Sequence, residues 1–188
     1  MPPVTLGLVV ANIALFFLTA AGGVPATFAL WPLGGGFAPW QLVTYAFLHT
    51  SLTHVLFNML GVWSFGSDLE RVWGSRRYLI YYTTGVLAAA VTQLVFTSVT
   101  GSTHPTVGAS GGVFGLLLAY AMLFPHRTVM LLFPPIPMKA PIFAVVYGAI
   151  ELVLGVTGTQ EGVAHFAHLG GMLGGFLLLL AWRRRRGP

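Results

Sequence analysis

Residues 163–186 read VAHFAHLGGMLGGFLLLLAWRRRR. From Val163 to Trp182 the stretch holds no Lys, Arg, Asp or Glu. Its length matches the roughly 20 mostly apolar residues a helix needs to cross the hydrocarbon core of a bilayer. The run Arg183–Arg186 that closes it is the kind of basic flank that stays on the cytoplasmic side. At the other end stand His165 and His168, polar groups in apolar surroundings, where their cost marks them as functional candidates. Membrane span, orientation and chemistry are all present in these residues, and the rest of the chain can be read outward from them.

Composition extends the reading to the whole chain. Of 188 residues 56% are hydrophobic and 7% charged, against roughly 25% charged in ordinary soluble domains, which excludes a soluble fold. The 24 Gly and 12 Pro exclude a simple coiled coil. With no Cys, disulfides, thiolate catalysis and Cys-based zinc or iron–sulfur sites are excluded as well. The sequence pI of about 10.1 invites a nucleic-acid reading, but four of the nine basic residues lie in the arginine tail, which suits a membrane anchor. The chain, 1–188, reads as one membrane domain of the all-α class.

Five further apolar segments resemble the first: Thr5–Ala21, Ser51–Leu69, Tyr78–Val99, Ser110–Leu123 and Ala140–Thr157, with Val163–Trp182 as the sixth. All nine basic residues fall on one side of a six-span arrangement. Arg71, Arg76 and Arg77 follow span 2, Arg127 and Lys139 follow span 4, and the tail 183–188 follows span 6. The opposite connections, about 22–50, 100–109 and 158–162, contain none, so both termini are expected in the cytoplasm. The start Met1-Pro2-Pro3 carries no basic side chain, which argues against a cleavable signal peptide. The outer loop 22–50 is uncharged and aromatic, with Phe28, Trp31, Phe37 and Trp40, and is expected to lie in the membrane interface.

Uncharged polar groups gather at one depth. Span 2 carries His54 and Asn58, spaced i, i+4 and so on one helix face. Span 4 opens with Gly108-Ala109-Ser110-Gly111-Gly112, and span 6 carries His165 and His168. All three spans enter from outside, so at 1.5 Å per residue these groups lie within roughly the first 10 Å of their helices. A serine hydroxyl becomes a nucleophile when a neighbouring imidazole takes its proton. The free N–H groups where span 4 begins, with an Asn or His donor, could stabilise an oxyanion. Asp68 and Glu70 belong to the cytoplasmic end, Glu161 to an outer loop, and Glu151 is expected off the three-helix cluster, which makes a Ser–His dyad the natural reading. Gly111-x-x-x-Gly115 and Gly171-x-x-x-Gly175 allow spans 4 and 6 to approach closely, and His168 points along the second of these stripes.

Blander readings stand beside this one. A single membrane Ser or Asn is often only a hydrogen-bonding contact between helices. Four outer histidines, His49, His54, His165 and His168, invite a metal, yet no HExxH pattern or nearby carboxylate accompanies them. A channel or transporter would need a polar path across the bilayer, whereas these groups stay in the outer half. No metal and no cofactor is expected.

At these residues the chain resembles the rhomboid intramembrane serine proteases. The pieces that match are Trp40-Gln41-Leu42-Val43-Thr44-Tyr45-Ala46-Phe47-Leu48-His49, His54-Val55-Leu56-Phe57-Asn58 and Glu70-Arg71-Val72-Trp73-Gly74, then Gly108-Ala109-Ser110-Gly111-Gly112-Val113-Phe114-Gly115 and Ala164-His165-Phe166-Ala167-His168-Leu169-Gly170-Gly171. The resemblance implies the minimal six-span rhomboid bundle, with Ser110 as nucleophile and His168 as its base. It also implies that His54 and Asn58 join the Ser110 backbone N–H in stabilising the oxyanion. Phe114 matches a position whose ring stacks near the base, and His165 becomes a neighbour of the site. Gln41 stands where relatives often have Arg after the Trp, so the outer loop should be anchored differently. The implied activity is endoproteolysis of transmembrane protein substrates near the outer face, in a bacterial or archaeal plasma membrane. The alternative is a non-catalytic rhomboid-like protein that binds membrane clients.

Overall fold

The computed structural model describes residues 1–20, 22–23, 25–130, 135–158 and 164–184. Ala21, Glu161, Val163, Arg185 and Arg186, all named above, lie outside the described residues. Each of the six apolar segments is helical. Helix α1 covers Pro3–Ala20, α5 Ser75–Thr100, α6 Ser110–Leu123, α7 Ala140–Thr157 and α8 His165–Arg184. The second segment is one rod in three parts: α3 (Leu52–Gly61), a π-helical turn (Val62–Gly66) and α4 (Ser67–Trp73). Gly74, at φ +75°, breaks this rod from α5. By length and composition α5, α7 and α8 are able to cross a membrane, while α1 and α6 are apolar but shorter.

The outside of the bundle is apolar. Val99 is 81% exposed, Leu18 78% and Val145 71%. So many large aliphatic side chains facing outward have no counterpart on a soluble monomer, and they match lipid tails as their surroundings. The chain is an integral membrane protein. Within, α5, α6 and α8 form the closest-packed trio. A Cβ at Gly171 of α8 would collide with the carbonyl oxygen of Gly111 in α6, and one at Gly115 would stand 3.1 Å from the Gly171 carbonyl oxygen. The two glycine stripes therefore meet as their spacing suggests, with one difference. Gly175, a full turn beyond Gly171, faces the Tyr81 hydroxyl of α5 instead of α6.

Two short elements depart from a purely helical chain. Thr128–Met130 (β1) and Pro137–Lys139 (β2) pair antiparallel, with Val129 opposite Met138, between α6 and α7. This end of the bundle also gathers charge: Asp68 pairs with Arg71 at 2.9 Å and with Arg127, and Arg77 lies over Trp182. Beneath them the buried Glu70 carboxylate accepts from the Val4 and Thr5 N–H groups, 2.9 and 2.7 Å, and from the hydroxyls of Thr5 and Ser75, both 2.7 Å. The first-turn N–H groups of α1 thus find, 65 residues along the chain, the acceptor that its own sequence lacks.

The long aromatic loop between α1 and α3 includes a short helix α2 (Gln41–Thr44). Gln41, the departure noted above, is buried and ties the loop together. Its Oε1 accepts from the N–H of Trp31 (3.1 Å) and of Ala38 (3.2 Å), and its Nε2 donates to the carbonyl of Thr27 (3.1 Å). A bridge between Leu30 and Thr106 fastens this loop to the segment that leads into α6.

Candidate active site

Helix α6 begins at Ser110, and the turn before it needs Gly108 twice over. Its φ is +125°, strained for any L side chain, and a Cβ there would lie 2.7 Å from His54 Nε2. That approach seats His54 of α3 directly against the turn, with Asn58 Nδ2 also close, 3.8 Å from the same point. The backbone is held from the other side by the Gly108 N–H, which donates to the Tyr45 carbonyl at 2.9 Å. His54 Nδ1 lies 3.4 Å from the Thr50 hydroxyl, and its ring meets that of His49 edge to face at 4.8 Å.

From α8, His168 turns toward the same place. Its Nε2 is 2.7 Å from Ser110 Oγ, a hydrogen bond between groups 58 residues apart. One face of the ring is covered by Phe114, one turn beyond Ser110, with centroids 4.5 Å apart and planes 4° from parallel. The close approach of Gly111 to Gly171 sets the distance between α6 and α8 and thereby brings hydroxyl and imidazole into reach. Ser110, His168, Phe114, His54, Asn58 and Gly108 converge at the end of the bundle opposite the paired Asp68 and Arg127.

Glu151 departs from its expected place. It does not lie off the cluster: Oε2 is 2.6 Å from His165 Nδ1 and 2.8 Å from His168 Nδ1. The first contact is a hydrogen bond; at the second, close as it is, His168 Nδ1 makes no aligned hydrogen bond. Glu151 stands six residues before the end of α7, about 9 Å at helical rise, a depth similar to that of the other site groups. What sequence did not supply is the rotation of α7 about its own axis, because that helix is apolar on nearly every side. Glu151, His165 and His168 also bring one ligand-type atom each to within 4.8 Å of one another. These are the residues that could hold a metal, although here the atoms engage each other.

The site opens on a cavity of about 1420 Å³. It runs between α3 and α7 across the face of α6, lined by Phe57, Leu60, Leu117, Phe143 and Tyr147 below the polar end with His54, Ser110 and His168.

A model of the Rhomboid domain matches residues 37–185, which contain every site residue named above. Similar proteins include rhomboid protease GluP of Bacillus subtilis (strain 168), 31% identical over 142 residues, 76% of this chain and 26% of that protein. Rhomboid protein 1, mitochondrial, of Saccharomyces cerevisiae is 30% identical over 73% of this chain and 40% of its own length. Rhomboid protease GlpG of Yersinia enterocolitica is 27% identical over 97% of this chain and 63% of its own. The chain thus spans between about a quarter and two thirds of these relatives. Since one of them is mitochondrial, the similarity indicates a membrane without specifying which.

Proposed function

The chain belongs to the rhomboid family, and on that premise we propose that it is an intramembrane serine endopeptidase that cuts transmembrane proteins near the outer membrane face. The observation that carries the proposal is the 2.7 Å contact between Ser110 Oγ and His168 Nε2 at the mouths of two close-packed helices. In this reading six spans place both termini in the cytoplasm. The clustering of the charged residues at the end opposite Ser110 supports that orientation.

A substrate helix enters along the trench between α3 and α7 and unwinds near its outer end, because helical hydrogen bonds would otherwise shield the scissile carbonyl. Small or helix-breaking residues there favour cleavage. Ser110 Oγ attacks the carbonyl carbon while His168 Nε2 accepts its proton. The Ser110 N–H, the His54 ring and the Asn58 amide stabilise the oxyanion. The same imidazole returns the proton to the departing amine, and water from the outer side hydrolyses the acyl-enzyme. Phe114 holds the ring in plane throughout.

Labelling with a fluorophosphonate probe tests this directly. Wild type is expected to label and Ser110→Ala to be inert, with His168→Ala losing cleavage of a single-span substrate. Equal labelling of wild type and Ser110→Ala defeats the proposal. Activity that survives His168→Ala but not His165→Ala would move the base one turn up α8.

A further inference from the structure

A dyad has no use for Glu151, yet this acid is buried within an apolar helix, where an unpaired carboxylate is costly. Among the described residues, its charge partners are the two imidazoles of α8. We infer that Glu151 is a positioning residue for His168, completing a line from Ser110 Oγ through both ring nitrogens to a carboxylate that His165 clamps. The inference rests on the protease reading above and adds to it a part that the dyad lacks.

The chemistry follows from the two tautomers of imidazole. His168 can accept the Ser110 proton only if Nε2 is free, which requires the ring proton to sit on Nδ1. A carboxylate 2.8 Å from Nδ1 favours that tautomer and opposes the other. As the bond from Oγ to the carbonyl carbon forms, the Oγ proton passes to Nε2 and the carbonyl π pair moves to its oxygen. The imidazolium so created faces an anion. When the C–N bond breaks, the amine nitrogen takes the proton from Nε2, and Glu151 stays ionised throughout. His165 donates to the same Oε2 from its Nδ1 at 2.6 Å, and its Nε2 has no partner among the described residues. That pattern suits a residue whose task is to hold the carboxylate. Because the second contact is not yet aligned, a small turn of the His168 ring or of the carboxylate is needed, which apo sites commonly await from substrate.

The rival explanation is a clasp between α7 and α8, in which Glu151 serves packing alone. The groups that face His168 are few: Ser110 from α6, His54 from α3, Glu151 and, behind it, Tyr147 from α7, with His165 on its own helix. Only Glu151 among them is anionic near neutral pH.

The test compares purified wild type, Glu151→Gln and Glu151→Asp on a single-span substrate, recording kcat, KM, Tm and the pH–rate profile. Glu151→Gln keeps size and hydrogen bonding but loses charge. It is expected to lower kcat about 10–100-fold with KM little changed. The limb of the profile that falls on acidification should move to lower pH, because a proton on His168 then has no anion beside it. Glu151→Asp restores part of kcat and returns the limb toward wild type. A Glu151→Gln enzyme with wild-type kcat and an unmoved limb overturns the inference; so does one whose Tm and kcat both fall while the limb stays in place. Activity that chelation abolishes and zinc restores would assign the trio to a metal and equally overturn it. A wild type that neither labels nor cuts removes the protease reading first, which keeps the two failures distinct.

Discussion

Two buried glutamates sit at opposite ends of this bundle, and they are held in different ways. Glu70 is surrounded by donors whose protons are fixed: two backbone N–H groups and two hydroxyls, at 2.7–2.9 Å. Glu151 is met by two imidazoles, rings that can both give and take a proton. The first arrangement stabilises an anion and has nothing left to do; it ties α1 to α4 and to the start of α5. In the proposed reaction the second couples an anion to a group that changes its charge. Burial and charge alone would not separate them, but the chemistry of the donors does.

This contrast can be broken by experiment. Glu70→Ala would strand several buried donors at the α1 terminus, at a cost of about 3 kcal/mol. Thermal unfolding of the detergent-solubilised protein should show a clear drop in Tm, while cleavage at low temperature stays within about twofold of wild type, since no catalytic group is touched. A Glu70→Ala enzyme that keeps its Tm but loses turnover would erase the distinction between the two acids.

Gln41→Ala probes a neutral counterpart at the Ser110 end. Loss of its loop hydrogen bonds should cost about 1–2 kcal/mol, less than Glu70 because no charge is involved. Limited proteolysis of the loop between α1 and α3 should quicken before Tm changes much. If the loop resists proteolysis unchanged, Gln41 does not anchor it. Asp68→Asn is the smallest step. Its partners Arg71 and Arg127 are more than half exposed, at 61% and 53% of the side chain, and such ion pairs contribute little. Tm should be indistinguishable from wild type in high salt; a large drop would mean that this end of the bundle relies on its charges after all.

Much of the site was legible in the chain itself. Ser110, His54, Asn58 and His168 betrayed themselves as polar groups in apolar helices, and the short aligned distances from the helix starts placed them at one depth. The glycine stripes foretold the contact of α6 with α8, except that Gly175 turns to α5. Gln41 was visible only as a departure from the family pattern, because its partners, the carbonyl of Thr27 and the N–H groups of Trp31 and Ala38, are set by how the loop folds back. The hairpin of β1 and β2 escaped notice, since three-residue strands are too short to show an alternating pattern.

The sequence alone determined which segments are helical, which end carries the charge and how far along each helix the polar groups lie. These follow from hydropathy, from the positions of nine basic residues and from a fixed rise per residue. Only the tertiary structure decided which way α7 is turned. A helix that is apolar all round has no moment to reveal its inner face, so the side toward which Glu151 points is settled by how α7 packs on α6 and α8. That rotation is what brings a carboxylate to His168.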